Sequence, residues 1–125
     1  DTLFKRADVV SNHVLLTEKT HALINRRHFR MMKPTAYYIN TARGEINNES
    51  DLLDALQKKW IAGAALDVLA NEDPKGSHIK RHPLVRYAKL YKNLIIIPHL
   101  GGATYESMAK TEEFIAEKVV KEIKK

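Results

Sequence analysis

The stretch IAGAALDV, residues 61–68, is a run of mostly small apolar side chains with a single acid, Asp67, next to its end. A short continuous apolar run, with no polar alternation, is the pattern of a strand buried on both faces, and its alanines and glycine leave room for helices to pack close. A strand of that kind belongs to a parallel sheet lying between helices.

The segments on either side follow the same rhythm. Upstream, Asn48 precedes leucines 52, 53 and 56, with Asp51 three residues on, which predicts an N-capped helix running to about Lys59. Ala36 to Ile39 form a strand that ends in the polar turn Asn40 to Gly44. Before it, Asn25 to Met32 have helical spacing at Phe29 and Met32, stopped by Pro34. Ala7, Val9, Val10 and Val14 to Leu16 suggest a first strand, which the polar segment Thr17 to Thr20 leaves. Trp60 reads as a core anchor.

Downstream, residues 71–92 are irregular, broken by Pro74, Gly76 and Pro83, with a short helical candidate at Leu84 to Leu90. Leu94 to Ile97 make a fourth strand, ended by Pro98 to Gly102. Thr104 caps a last helix, 104–125, whose apolar stripe of Met108, Phe114, Ile115, Val119 and Ile123 reads as packing against the sheet or another domain. Its acids cluster early and its lysines late, as the helix dipole prefers. Alternating strand and helix predicts an α/β fold with a parallel sheet, helices on both faces, and chemistry at the carboxyl ends of the strands.

Bulk properties narrow the function. The 125 residues suit one domain, 44% hydrophobic and 29% charged. The longest apolar stretches fall short of the roughly 20 residues that a bilayer requires. There is no cationic-then-apolar leader. Without cysteine there is neither a disulfide framework nor a thiolate metal site, which fits a reducing cytoplasm. His13, His21, His28, His78 and His82 show no metal-ligand spacing, so no metal is expected. A net charge of +6 leaves two kinds of anionic partner open: nucleic acid, or a phosphate-bearing cofactor with an acidic substrate. Basic residues spread over amphipathic helices, without a row of stacking aromatics, argue against nucleic acid.

Three polar signals stand at predicted strand ends: Arg43, then Asp67 with Glu72, then His99. Taken singly, each reads as a turn or surface residue. Together they suit hydride transfer to a 2-oxo acid, which needs a cation for the carboxylate and a proton carrier for the oxygen. Arginine offers a planar fork to a carboxylate, and histidine exchanges a proton near neutrality. A carboxylate such as Glu72 would orient the imidazole.

In order and separation, the segments ADVVSNHVLLTEKT (7–20), INTARGEINN (39–48), AGAALDVLANEDP (62–74) and IIIPHLGGAT (95–104) resemble the D-isomer-specific 2-hydroxyacid dehydrogenases, phosphoglycerate dehydrogenase-like members included. The resemblance implies the C-terminal part of a Rossmann-type doubly wound sheet of about four strands, residues 1–125 forming a single partial dinucleotide-binding domain. It implies an oxidoreductase that moves a hydride between NAD(H) and a D-2-hydroxy acid or 2-oxo acid. Arg43 would bind the substrate carboxylate, His99 would be the general acid/base and Glu72 its partner. His13, Val14, Thr41, Ala42, Arg43, Asp67, His99, Gly101 and Gly102 would line the cofactor, with Asp67 at the nicotinamide end.

Leu15 stands where the family usually has proline, and the segment from Lys75 to Lys92 is lengthened. None of the glycines at 44, 63, 76, 101 and 102 forms a G-x-G-x-x-G. The pyrophosphate loop, the acid that distinguishes NAD from NADP and the substrate domain are therefore expected upstream of Asp1, and the isolated chain is expected to be inactive. The resemblance also implies a homodimer of the parent protein. Relatives that sense NAD(H) as corepressors leave a non-catalytic reading open.

Overall fold

A computed structural model describes residues 1–125 apart from Pro74, His78, Ala103, Lys124 and Lys125, with the backbone alone for Glu122. The order is α1 (Thr2–Arg6), β1 (Val9–Asn12), α2 (Arg26–Met31), β2 (Tyr37–Asn40), α3 (Glu49–Gln57), β3 (Gly63–Leu66), α4 (Pro83–Leu90), β4 (Leu94–Ile96) and α5 (Tyr105–Ile123). Short 3₁₀ turns lie at Gly44–Ile46 and Ile79–Arg81. The four strands form one sheet in the order β1-β2-β3-β4, and every pairing is parallel.

That order has a geometric consequence. Parallel crossovers are right-handed almost without exception, so strands laid down in one direction send every connecting helix to the same face. Val10, Tyr38, Ala64, Leu66 and Leu94 from the sheet, Phe29 from α2, Leu52 and Leu56 from α3, and Leu84 from α4 accordingly form one buried cluster. On the other face Val9, Tyr37 and Ile95 are exposed. Helices on both faces require a reversal of strand order, and none occurs among these four strands. The small residues of β3 serve a different neighbour from the one expected: a Cβ on Gly63 would lie 2.8 Å from the Asn93 carbonyl oxygen and 3.2 Å from the Tyr37 ring.

Several predicted elements are shorter than expected, each for a local reason. β1 stops at Asn12 because polar side chains take the backbone groups beyond it. The Asn12 amide oxygen accepts the Val14 N–H at 3.2 Å, and the Thr20 hydroxyl donates to the Leu15 carbonyl at 2.7 Å. Val14 and Leu15 are thus exposed. Asn48 caps α3 by accepting the Asp51 N–H, but the Asp51 carboxylate turns to Arg26 instead of completing a capping box. Trp60 is only half-buried and lies beneath cations, with the Arg30 guanidinium 4.7 Å and the Lys58 ammonium 5.4 Å from its ring. The stripe on α5 is exposed, with Phe114 and Ile115 each more than half open. α1, which the sequence reading did not anticipate, leans on α2 through Phe4 and His28, whose ring centroids are 4.8 Å apart.

The cap of α2 depends on pH. Asn25 accepts the Arg27 N–H, and the His28 Nδ1 accepts the Asn25 N–H, which only an unprotonated Nδ1 can do. Burial first, then the Arg27 charge, holds the His28 imidazole below its ordinary 6.5. The unfolded chain therefore binds the proton more readily, so this contribution to stability is full above the ordinary value and is lost as pH falls through the lowered one. The urea midpoint should decline between about pH 7 and pH 5, and His28→Gln, which keeps an uncharged acceptor, should flatten the decline.

Candidate functional site

The carboxyl ends of the four strands are tied together by polar contacts. β1 and β2 end in asparagines that are paired in register, Asn12 against Asn40. Asn12 Nδ2 donates to Asn40 Oδ1 at 3.1 Å, and that oxygen also accepts the Ala42 N–H at 3.0 Å. Asn40 Nδ2 donates to the Arg43 carbonyl at 2.9 Å and to Asn47 Oδ1 at 2.8 Å. The Tyr38 hydroxyl, whose ionisation burial pushes far up, donates to the same Asn47 oxygen. All three asparagines are buried. An unmade hydrogen bond in such a setting costs about 1–3 kcal/mol, so the loops at His13–Val14 and Thr41–Arg43 hold fixed positions.

Gly44 brings the β2 loop against the β3 loop. A Cβ there would lie 2.0 Å from the Leu69 carbonyl carbon and 2.1 Å from the Ala70 nitrogen, so the two backbones touch where only a glycine fits. Beyond that contact, consecutive backbone N–H groups each meet a carboxylate: Leu69 meets Glu72 at 2.7 Å, Ala70 meets Glu49 at 2.8 Å and Asn71 meets Glu45 at 3.0 Å. Asn71 occupies the left-handed region at φ +55°.

The β4 loop closes the arrangement. Asp67, 2% exposed, accepts the N–H groups of Leu100 and Gly101, one on each carboxylate oxygen, both at 2.7 Å. It acts on its surroundings through the turn it holds. His99 sits at the start of that turn with φ +51°, and its Nδ1 is 2.6 Å from Glu72 Oε2. An ionised carboxylate only accepts, so Nδ1 carries the proton and Nε2 remains for a ligand. The His99 and Glu72 side chains are 43% and 32% exposed, within reach of a small molecule. A groove of about 980 Å³ begins at this pair and follows β4 towards α4.

The predicted site residues thus occupy neighbouring strand ends. Glu72 and His99 are bonded to each other, and Asp67 is bonded to the Leu100–Gly101 turn. Arg43 is exposed, and its guanidinium meets the Ala42 carbonyl at 2.6 Å, with no carboxylate partner among the described residues. Thr41 is exposed and Ala42 half-buried. His13 is exposed and bonded to the Ser11 hydroxyl at 2.7 Å, Val14 is exposed beside it, and Gly102 takes a φ of +81°. The sequence reading passed over Asn12, Asn40, Asn47, Glu45 and Glu49. Its one available signal was the asparagine that ends both VVSN and YYIN. Gly44→Ala should destabilise the chain by about 3 kcal/mol or more, because backbone on both sides must move; denaturant unfolding of the variant checks this.

Residues 1–101 match the model of the D-isomer specific 2-hydroxyacid dehydrogenase NAD binding domain. The glyoxylate reductase of Thermofilum pendens is 41% identical over 99% of this chain and 34% of its own length. That of Thermococcus litoralis is 35% identical over 96% of this chain and 34% of its own length. Among solved structures, D-lactate dehydrogenase from Aquifex aeolicus, complexed with NAD and lactic acid, superposes with a TM-score of 0.75 at 31% identity, covering 98% of this chain and 39% of that one. The NAD-complexed D-isomer specific 2-hydroxyacid dehydrogenase of Lactobacillus delbrueckii gives a TM-score of 0.75 at 34% identity, covering 94% and 39%. The chain therefore spans about a third of the length of the curated relatives it matches. With the family's domain model matched along most of the chain and the same fold in its NAD-bound members, this chain belongs to the D-isomer-specific 2-hydroxyacid dehydrogenase family.

Proposed function

We propose that this chain is the part of an oxidoreductase that handles the proton and the substrate carboxylate while a hydride passes between NAD(H) and a D-2-hydroxy acid or its 2-oxo acid. The observation that carries the reading is the Glu72–His99 contact of 2.6 Å, at the same edge of the sheet as exposed Arg43, whose guanidinium meets no carboxylate among the described residues. A bound nicotinamide supplies or accepts the hydride at the carbon bearing the oxygen. The residues here fit its nicotinamide end: exposed Val14 offers an apolar contact, and the strand-end backbone at Thr41 to Arg43 offers polar ones. The pyrophosphate needs a glycine-rich loop, and the five glycines of this chain do not form one.

Each side chain has a separate task. Arg43 holds the substrate carboxylate with its planar fork. His99 gives a proton from Nε2 to the substrate oxygen during reduction and takes it back during oxidation. Glu72 fixes the tautomer that leaves Nε2 free for this and stabilises the imidazolium. Asp67 keeps the turn after His99 in place through Leu100 and Gly101.

The names of the relatives, glyoxylate reductase and D-lactate dehydrogenase, favour a small 2-oxo acid. Residues 1–125 would form one partial dinucleotide-binding domain ending in the helix 104–125, in a cytoplasmic homodimeric parent. No helix among the described residues is long and apolar enough to cross a membrane. A purely sensing role would require neither an arginine exposed at the strand ends nor a histidine paired with a carboxylate, so the site favours chemistry.

In the full-length protein, nicotinamide absorbance followed with a panel of 2-oxo acids should show turnover, and His99→Ala should lower it by about 100-fold or more. Arg43→Ala should lower kcat/KM for the oxo acid by a similar factor, with little rescue from lysine, which lacks the fork. Cofactor binding without reduction of any 2-oxo acid, or a His99→Ala variant as active as wild type, would sink the proposal.

A further inference from the structure

We propose that Glu49 is a positioning residue for the Glu72–His99 pair, a role that rests on the function proposed above. Glu49 stands in the first turn of α3, where the helix dipole favours a negative charge. Its carboxylate bridges the two ends of the segment that carries Glu72. Oε1 accepts the Ala70 N–H at 2.8 Å, just after β3, and Oε2 lies 3.0 Å from Nε2 of His82, the residue before α4. Both Glu49 and His82 side chains are largely buried, at 18% and 10% exposure.

The segment between those ends needs such a clamp. Glu72 is anchored by its own Oε1 on the Leu69 N–H, a bond that closes only a short loop, and Asn71 between them has a positive φ. The conformation therefore depends on what holds Ala70 and Asn71. Glu45 holds the second, and Glu49 holds the first while tying it to the far end of the segment. Without Glu49 the Ala70 N–H loses its acceptor, and the 3.0 Å contact between His82 and α3 is gone. The loop then moves relative to His99, which follows β4 and opens the turn that Asp67 holds through Leu100 and Gly101. Glu49 touches neither substrate nor cofactor and acts only through the place it gives Glu72.

The full-length protein tests this through the tautomer of His99, read from its ring ¹⁵N shifts, together with steady-state kinetics. Wild type should show the Nδ1-protonated form that Glu72 selects, and Glu72→Ala should lose it. Glu49→Ala should shift towards the Glu72→Ala spectrum and lower kcat by about 10-fold, with both KM values within about twofold of wild type. Glu49→Gln keeps an oxygen for the Ala70 N–H and should recover most of the tautomer and of kcat. It carries the test if the alanine variant does not fold, since a glutamine variant with the Glu72→Ala spectrum would then overturn the proposal. A folded Glu49→Ala variant with the wild-type tautomer overturns it whatever the turnover. A wild-type protein that reduces no 2-oxo acid, yet shows the same tautomer series, sinks the oxidoreductase reading and leaves the positioning role standing.

Discussion

The Asn40 side chain uses everything an amide has. Its oxygen accepts from Asn12 and from the Ala42 N–H, and its nitrogen donates to the Arg43 carbonyl and to Asn47. It is fully buried at the carboxyl end of β2. Two donors and two acceptor sites, all engaged, define a position that neither aspartate, which only accepts, nor leucine, which does neither, can fill. The path of the chain at 41–47 follows from that one group, and Gly44 within it then sets how closely the β3 loop can approach.

From Gly44 onwards, carboxylates on backbone N–H groups take over the task of the amides. Asp67, Glu72, Glu49 and Glu45 together hold the N–H groups of Leu69, Ala70, Asn71, Leu100 and Gly101. Hydrogen bonds to an ionised acceptor are shorter and about twice as strong as neutral ones, which suits loops that have no ladder to satisfy them. These side chains also bring negative charge to the edge where Arg43 and His99 stand, so the acids serve the backbone and set the local field together.

The sheet was readable in the sequence because hydrophobic runs and turn residues report on local burial. LIII, AYYI and the alanine-rich run each lie where a strand formed, trimmed at the ends by polar neighbours. That Arg43, Glu72 and His99 lie just beyond neighbouring strands was readable because each closely follows an apolar run that forms one. Trp60 does pack against the core, as its composition suggested, but the three cations over its other face were not readable, since they come from residues that only the fold brings to it. The helices on one face and the glutamate contacts were not readable. They depend on which strands lie beside each other and which loops touch, and the spacing of residues along the chain carries no record of that. A glutamate in a first helical turn looks like a dipole-favoured surface residue whether or not it reaches a loop some twenty positions away.

The Glu72–His99 pair is built from contacts within the described residues. Glu72 is bonded to its own loop, that loop is held by α3 and by Gly44, and His99 is held from the other side by the turn on Asp67. Such a pair needs no ligand to assemble it. Preorganised groups stabilise developing charge without reorganising at the moment of reaction, which is where most electrostatic catalysis comes from. Arg43 is different: its guanidinium rests on its own backbone, and a carboxylate offering two acceptors is the natural replacement for the Ala42 carbonyl. On the proposed function, substrate binding would require motion of one exposed side chain, while the Glu72–His99 geometry stays as folded.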